Sequence, residues 1–528
     1  MRGYLFLKES NQLSLITEVK EALTNTHLSD VNTHSSTVIF GAGLKYSELI
    51  VRQYLLVRVA GVNLNKSLLY ALGKLGSEVI HPLPPGWRKI IEHHGFKVAK
   101  IRSVLAWNGF VMMMLAYGIA SIVIHTLKNI KAVLLLSYHP LGLYAYFESL
   151  VAGNLPQPCE DGRNHDIVTW YYQWSGRVLE LDTLCHSVKD ITPRTVENIP
   201  VISIPSAILP LTRLSTIIRY IGWGIEASTI AIVDLFRGRW WNTLLLSEAA
   251  KTAQMRMQDP EKMARDYLFH NSAWIYRPLW TYEAEKHGSR ITFYFYSTNC
   301  ESFKRPNGYP IQANSWQTMN WPHFLVWDEY QADFVRRAVG KSAIISVVGP
   351  IWFHTSLKEM QPLFPRSVAV FDVQPHRDSR YQILGTEQEY YTPKTTNQFI
   401  LDIYQLLSEN NIYMVHKRKR NIGNLLHKSY ASLIEKLRKS NNYISEDPDI
   451  GAINVIEKCK AVISMPFTST ALLGKALGKP SIYYDPHGIV QKDDRAAHGI
   501  PIVSGADELK RWFLSVNTQL DIFSVKDV

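Results

Sequence analysis

Short apolar runs alternate along the chain with longer stretches whose apolar positions recur at helical spacing. STVIFGAG at 36–43, KAVLLLSYHP at 131–140, ITFYFYSTN at 291–299, HFLVWDEY at 323–330 and AIISVVGPIW at 343–352 read as strands. SELIVRQYLLVRVAG at 47–61 and EYQADFVRRAVG at 329–340 read as helices between them. Strands separated by helices imply βαβ units and a parallel sheet buried on both faces. After the proline-marked segment GPIWFHTSLKEMQPLFP (349–365) a second alternation begins. SVAVFDV, IYMVHK, NNYISE, AVISMP and PSIYYDP are its strands, and TNQFILDIYQLLSENN, IGAINVIEKC and TSTALLGKALG are helices among them. The pattern therefore predicts two doubly wound α/β domains, residues 1–358 and 366–528, with a ligand crevice where the carboxyl ends of their strands face each other. A length of 528 residues agrees with two cores rather than one.

One stretch departs from the alternation. Between Arg102 and Lys128 no Lys, Arg, Asp or Glu occurs, and 103–127 is long enough to cross hydrocarbon. A span, a helix lying in the membrane interface and a buried core helix are all open readings of this segment. From about Ile208 to Trp241 a second stretch mixes apolar residues with Arg213, Arg219, Arg237 and Arg239, a composition suited to an interface or to a solvated helix on a core. The opening MRGYLFLKESNQ reaches charge at Lys8 before a leader-like apolar run develops, so a cytoplasmic chain at the inner face of the cytoplasmic membrane is expected.

The formal charge of +11 implies affinity for anions such as nucleotides, acidic glycans or lipid headgroups. No nucleic-acid-binding motif is evident, and nucleic acid is not an expected partner. Four dispersed cysteines without CxxC spacing indicate neither a zinc site nor a disulfide framework. GAG at 41–43 is followed by Leu44, Lys45 and Tyr46, so the dinucleotide fingerprint is absent.

Chemistry concentrates at predicted strand ends. In AVISMPFTSTALLGKALGKPSIYYDP a strand ends at Met465, and Pro466, Phe467, Thr468, Ser469 and Thr470 lead into a helix. Three successive hydroxyls at such a switch suit phosphate binding, and simple helix capping by Thr468 or Ser469 explains the same residues. Tyr483, Tyr484 and Asp485 end the next strand at the same crevice. His416 and Lys417 end IYMVHK, with Arg418, Lys419 and Arg420 extending the basic run, and Gln374, His376 and Arg377 follow the domain's first strand. These groups are the expected nucleotide-phosphate-binding set. In the first domain Asp328 and Glu329 follow FLVW, and Asn299 and Glu301 follow FYFYST. Asp328 is the expected general base, although it also suits an N-cap; Glu329 and Glu301 are the other expected catalytic groups, with His139 and Glu148 behind them. Asp447 and Asp449 have DxD spacing but precede a helix, so no metal and no other cofactor is expected.

The segment SMPFTSTALLGKALGKPSIYYDP resembles the signature of bacterial polysaccharide-biosynthesis proteins named for their PFTS motif, over residues 449–487. Those proteins look related to GT-B glycosyltransferases that use CMP-activated acidic sugars. The resemblance implies a GT-B-like fold, two facing Rossmann-like domains, and transfer of a nonulosonic acid (pseudaminic, legionaminic or sialic type) or Kdo from a CMP-sugar. The implied acceptor is a glycan or lipid-linked oligosaccharide of capsule or O-antigen biosynthesis. In similar transferases a histidine-proline strand end and a Ser/Thr-rich helix start hold the phosphate and the donor carboxylate; here Lys417 stands where that proline would be. Leu473, Gly474 and Lys475 replace the glutamate that holds ribose in many enzymes with nucleoside-diphosphate donors, which favours CMP. The alternatives are a GT-B transferase with a UDP- or GDP-sugar, a UDP-sugar epimerase, and a non-catalytic membrane-peripheral assembly protein.

Overall fold

The computed structural model describes residues 14–28, 30–31, 39, 47–73, 77–135, 142–156, 166–175, 180–189, 192–272, 274, 276–298, 300–309, 316, 319–340, 342–351, 366–377, 390–419 and 421–520. The expected strand at 36–43 falls almost wholly outside them, as do His139, Asn299, Arg420 and most of the interdomain segment. Within the described residues lie two sheets. The first contains β1 Tyr144–Phe147, β2 Thr183–His186, β3 Arg194–Val196, β4 Ile199–Ser203, β5 Asp266–His270, β6 Arg290–Tyr294, β7 His323–Val326 and β8 Ile344–Val347. Its order is β3-β4-β2-β1-β5-β6-β7-β8. Only the edge pair β3 and β4 is antiparallel. The second sheet holds β9 Ser367–Phe371, β10 Tyr413–Lys417, β11 Tyr443–Glu446, β12 Ala461–Ser464, β13 Ser481–Asp485 and β14 Ile502–Ser504, in the order β11-β10-β9-β12-β13-β14. Every pairing in it is parallel. Renumbered within the domain the order is 3-2-1-4-5-6, the doubly wound arrangement whose strand order reverses between β9 and β12.

The central strands β1, β5, β9 and β12 are buried along their whole length, as strands covered on both faces must be. Thr392 caps the helix Pro393–Glu409 by accepting from the Thr395 amide, and Pro393 occupies the first turn, where its missing N–H costs nothing. Expected strands at 291–299, 323–330 and 343–352 appear as β6, β7 and β8. KAVLLLSYHP is a correction: Lys131–Leu134 is the last turn of the helix Lys100–Leu134, and the strand comes later, at β1. Leu and Ala are good helix formers, and the preceding helix supplies the hydrogen-bonded turn that lets the run continue as helix. The helix expected at 47–61 is α-helical over Ser47–Tyr54 and widens to a π-turn at Leu55–Val59. Cys185, Cys300 and Cys459 are buried free thiols.

Three helices stand together beside the first sheet. Trp241–Arg256 is central and buried on nearly every side. Lys100–Leu134 and Leu214–Phe236 cover it and run antiparallel to each other: Trp107 touches Trp240 at one end, and Asn129 accepts from the Leu211 amide at 2.9 Å at the other. Close approach requires glycine at two points. A Cβ on Gly118 would lie 2.6 Å from the Leu246 Cβ, and one on Gly224 would lie 2.6 Å from the Ile122 Cγ2. The apolar run 103–127 is therefore packed along one face only (Ser103, Trp107, Val111, Leu115, Gly118, Ile122), and its opposite face is exposed. The buried-core-helix reading fails for that outer face.

The two sheets meet through their carboxyl ends. Beyond β6 the Thr298 amide donates to Ser469 of the second domain, and beyond β7 Asp328 reaches His498. This is the GT-B-like pair of facing Rossmann-like domains, joined by one continuous apolar core.

Candidate active site

The reversal point between β9 and β12 delivers two chain segments to one crevice, Asp372–Arg377 and Met465–Thr470. In the second, the Thr468 amide and hydroxyl both donate to the Met465 carbonyl (3.2 and 2.9 Å), closing a tight turn between strand and helix. Phe467 takes φ +65° within it, a left-handed backbone that a large L-residue adopts only under constraint. Tyr391 fastens the turn through the Pro466 carbonyl (2.8 Å) and Tyr483 through that of Thr468 (2.9 Å). The Thr470 hydroxyl lies 2.8 Å from that of Ser464 and 3.2 Å from that of Thr468, a small hydroxyl cluster at the helix start. Gly474 lets the helix Thr470–Ala476 settle on the sheet, because a Cβ there would meet the Ser481 hydroxyl at 2.4 Å and the Val462 side chain at 2.6 Å.

The same turn is a joint between domains. The Ser469 hydroxyl accepts from the Thr298 amide at 3.1 Å and lies 3.1 Å from the Thr298 hydroxyl, and the Phe467 ring packs 4.6 Å from that of Phe303. Beside it Asp494 accepts from the Lys304 amide at 2.7 Å and the Tyr309 hydroxyl at 3.1 Å, and Lys304 pairs with Asp493. The Arg495 guanidinium lies 3.7 Å over the Tyr309 ring. The three expected catalytic carboxylates fall within or behind this joint. Asp328 caps the helix Glu329–Val339 by accepting from the Gln331 amide (2.9 Å) and grips His498 at 2.7 Å. Glu301 lies between Arg337 and Arg495, and Glu329 is an exposed partner of Arg336. As placed, these groups hold domains or helix ends together.

The strand-end residues of the second domain divide similarly. His416 is wholly buried, with Nδ1 2.6 Å from the Tyr443 hydroxyl and Nε2 3.2 Å from Asp372, whose carboxylate also accepts from Tyr430. It belongs to an interior network under the crevice. Lys417 donates to the Arg418 and Pro448 carbonyls (3.3 and 3.2 Å). Burial draws its ammonium down to about 8, against the pull of Asp449, Asp372 and Asp447. Gln374 is buried at the crevice floor. Pro375–Arg377 is stitched to a neighbouring loop, with the Pro375 carbonyl accepting from the His427 amide at 3.0 Å and the Arg377 amide donating to Leu425 at 2.8 Å; His376 is half-buried and Arg377 exposed. Asp485 anchors the loop after β13 by accepting from Tyr390 (2.9 Å) and from the His487 and Val490 amides (3.1 and 2.7 Å). Tyr484 donates to Asp402.

The first sheet has its own reversal point, between β1 and β5. Glu148 follows β1 directly, and its amide donates to Leu268 in β5. Burial raises its carboxyl above the ordinary range, with the Ser149 hydroxyl and Lys251 opposing. Ser149 has φ +61° and accepts from the Trp274 indole at 2.9 Å. His270, the last residue of β5, has Nε2 3.2 Å from the Ser149 carbonyl. A carbonyl only accepts, so Nε2 carries the proton and the neutral ring keeps its lone pair at Nδ1, a buried atom with no hydrogen-bond partner among the described residues. Burial also lowers the His270 pKa, favouring that neutral form. A half-buried carboxyl raised by burial, next to a residue in strained backbone, makes this crevice a second candidate site. Glu148 ranked low in sequence because a short strand, YAYF, precedes it where the run KAVLLL looked stronger. His270 carried no signal beyond ending an apolar run.

Similar solved structures include a UDP-GlcNAc 2-epimerase from Methanocaldococcus jannaschii, 8% identical over 71% of this chain and 91% of that one, TM-score 0.35. An alpha,alpha-trehalose 6-phosphate synthase from Burkholderia multivorans is 12% identical over 72% and 92%, TM-score 0.35. A UDP-glucosyltransferase from Polygonum tinctorium is 12% identical over 72% and 90%, TM-score 0.31. Among curated proteins none matches the chain. The family model described as polysaccharide biosynthesis PFTS motif protein matches residues 223–513, from the Leu214–Phe236 helix through the whole second sheet and its Pro466–Ser469 turn. The chain belongs to the PFTS-motif family of polysaccharide biosynthesis proteins.

Proposed function

We propose that the chain is a glycosyltransferase of surface polysaccharide biosynthesis, moving a nonulosonic acid or Kdo-like sugar from a CMP donor to a glycan or lipid-linked acceptor. The observation that carries this reading is that two doubly wound sheets meet through their carboxyl ends, one with the hydroxyl-bearing turn Pro466–Thr470 at its reversal point and the other with Glu148 beside His270 at its own. On this reading Glu148 takes the proton from the acceptor hydroxyl as that oxygen bonds to the anomeric carbon of the donor. The bond from that carbon to the phosphate oxygen breaks, and its electron pair leaves with CMP. Donors of the 466–470 turn, with Lys417 and Arg377 nearby in the same domain, meet the charge growing on the phosphate. The absence of a ribose-binding glutamate at Leu473–Lys475 supports CMP over a nucleoside diphosphate. Helix-terminal amides and basic side chains stand in this proposal where a metal would otherwise act.

Incubation with CMP-sugars and oligosaccharide acceptors, in EDTA, tests the reading by mass spectrometry. Acceptor-dependent gain of one sugar with release of one CMP is expected. Isomerised sugar nucleotide formed without acceptor would replace the transferase reading with an epimerase, and turnover only after manganese is restored would overturn its metal-free part.

A further inference from the structure

The helices Lys100–Leu134 and Leu214–Phe236 present an apolar surface that no described part of the chain covers. On the first, Leu105, Met112, Met113, Val123 and Leu127 are each at least half exposed. On the second, Leu214, Ile218, Ile225 and Phe236 form a stripe opposite the buried face, with Phe236 89% exposed. The helices pack against each other, so the two stripes lie on neighbouring elements, and a run of exposed large apolar side chains of this kind marks an interaction surface.

Charge around the patch is one-sided. No Asp or Glu occurs from Lys100 through Leu134, and Lys100 and Arg102 at one end and Lys128 and Lys131 at the other are exposed. Arg219 and Arg237 are exposed on the neighbouring helix. Its one exposed acid, Glu226, lies seven residues after Arg219 and so on the same flank, off the stripe. An apolar field closed by cations fits the acyl boundary and anionic headgroups of a bilayer.

Orientation follows from the packing. The inner face of Lys100–Leu134 is held by the protein from Ser103 to Asn129, nearly its whole length, against helices that belong to the first domain. Only the outer face remains for lipid, so the helix lies in the plane of the interface and does not cross it. We propose that these two helices form a membrane-docking surface for an anionic phospholipid bilayer. The docking inference does not rest on the donor or the reaction.

Flotation of the full chain with vesicles of phosphatidylcholine alone and with one quarter phosphatidylglycerol tests it. At low salt, binding to the anionic vesicles is expected to exceed binding to the neutral ones about tenfold, and to weaken with salt. The triple substitution Met113→Glu, Leu127→Glu, Ile225→Glu should remove flotation while leaving the thermal transition in place, since all three side chains are exposed. Absence of flotation, equal binding to neutral vesicles, or a stable dimer that the triple variant splits would each overturn the proposal; the last would assign the face to a second copy.

Discussion

Glu148→Gln lowers the rate of glycosyl transfer about 10²–10⁴-fold, the usual contribution of a positioned general base, with nucleotide affinity unchanged. The expectation follows from the position of Glu148 at the reversal point of the first sheet, directly after β1. Burial raises its carboxyl, so the carboxylate is a stronger base than an exposed glutamate would be. The rate should therefore fall as pH drops through that raised pKa, at a higher pH than an ordinary glutamate would impose, and the variant should lack this limb. The sign for stability is opposite. A raised folded pKa gives stabilisation that is present below the unfolded value and lost as pH climbs through the folded one. At neutral pH the Glu148→Gln variant thus forfeits nothing, and the melting temperature should not fall. A variant that melts early, or that loses nucleotide binding along with turnover, would make Glu148 a structural residue.

Phe467→Ala is the largest expected loss of stability, about 3 kcal/mol from a buried phenyl ring that touches Phe303 across the domain joint and Tyr483 within the sheet. Its left-handed backbone separates two contributions. Glycine adopts φ +65° without the Cβ penalty, so Phe467→Gly should be more stable than Phe467→Ala by about 1 kcal/mol although it removes more side chain. Urea unfolding followed by tryptophan fluorescence gives both values. Equal stability of the two variants would contradict the strained turn, and a loss below about 1 kcal/mol for alanine would contradict the packed joint.

Much of the second domain was legible because its central strands are short, wholly buried and bounded by turn residues, as in SVAVF and AVIS. Helix ends were legible where a cap and a proline coincide, as at Thr392 and Pro393. The three-helix pack was not, because a charge-free run has the same composition whether it faces core or lipid, and only the contacts at Gly118 and Gly224 separate its two faces. The site was half legible. Hydroxyls at 468–470 announce a strand-to-helix turn, but their division between the turn and Thr298 of the other domain is a tertiary fact. Asp328 drew attention as an acid after an apolar strand, and that placement equally makes it an N-cap. His416 looked like a ligand for the same reason and lies under the crevice, because alternate residues of a strand point to opposite faces. Glu148 and His270 are adjacent only because β1 and β5 pair across more than a hundred residues, a separation that local pattern does not span.

Isothermal titration of the wild-type chain with CMP, UMP, UDP and GDP tests the central claim most directly. The account predicts saturable binding of CMP alone, weakened in Thr468→Val and undisturbed in Glu148→Gln. Binding of UDP or GDP in place of CMP, or CMP affinity that depends on Glu148 and not on the 466–470 turn, would contradict it.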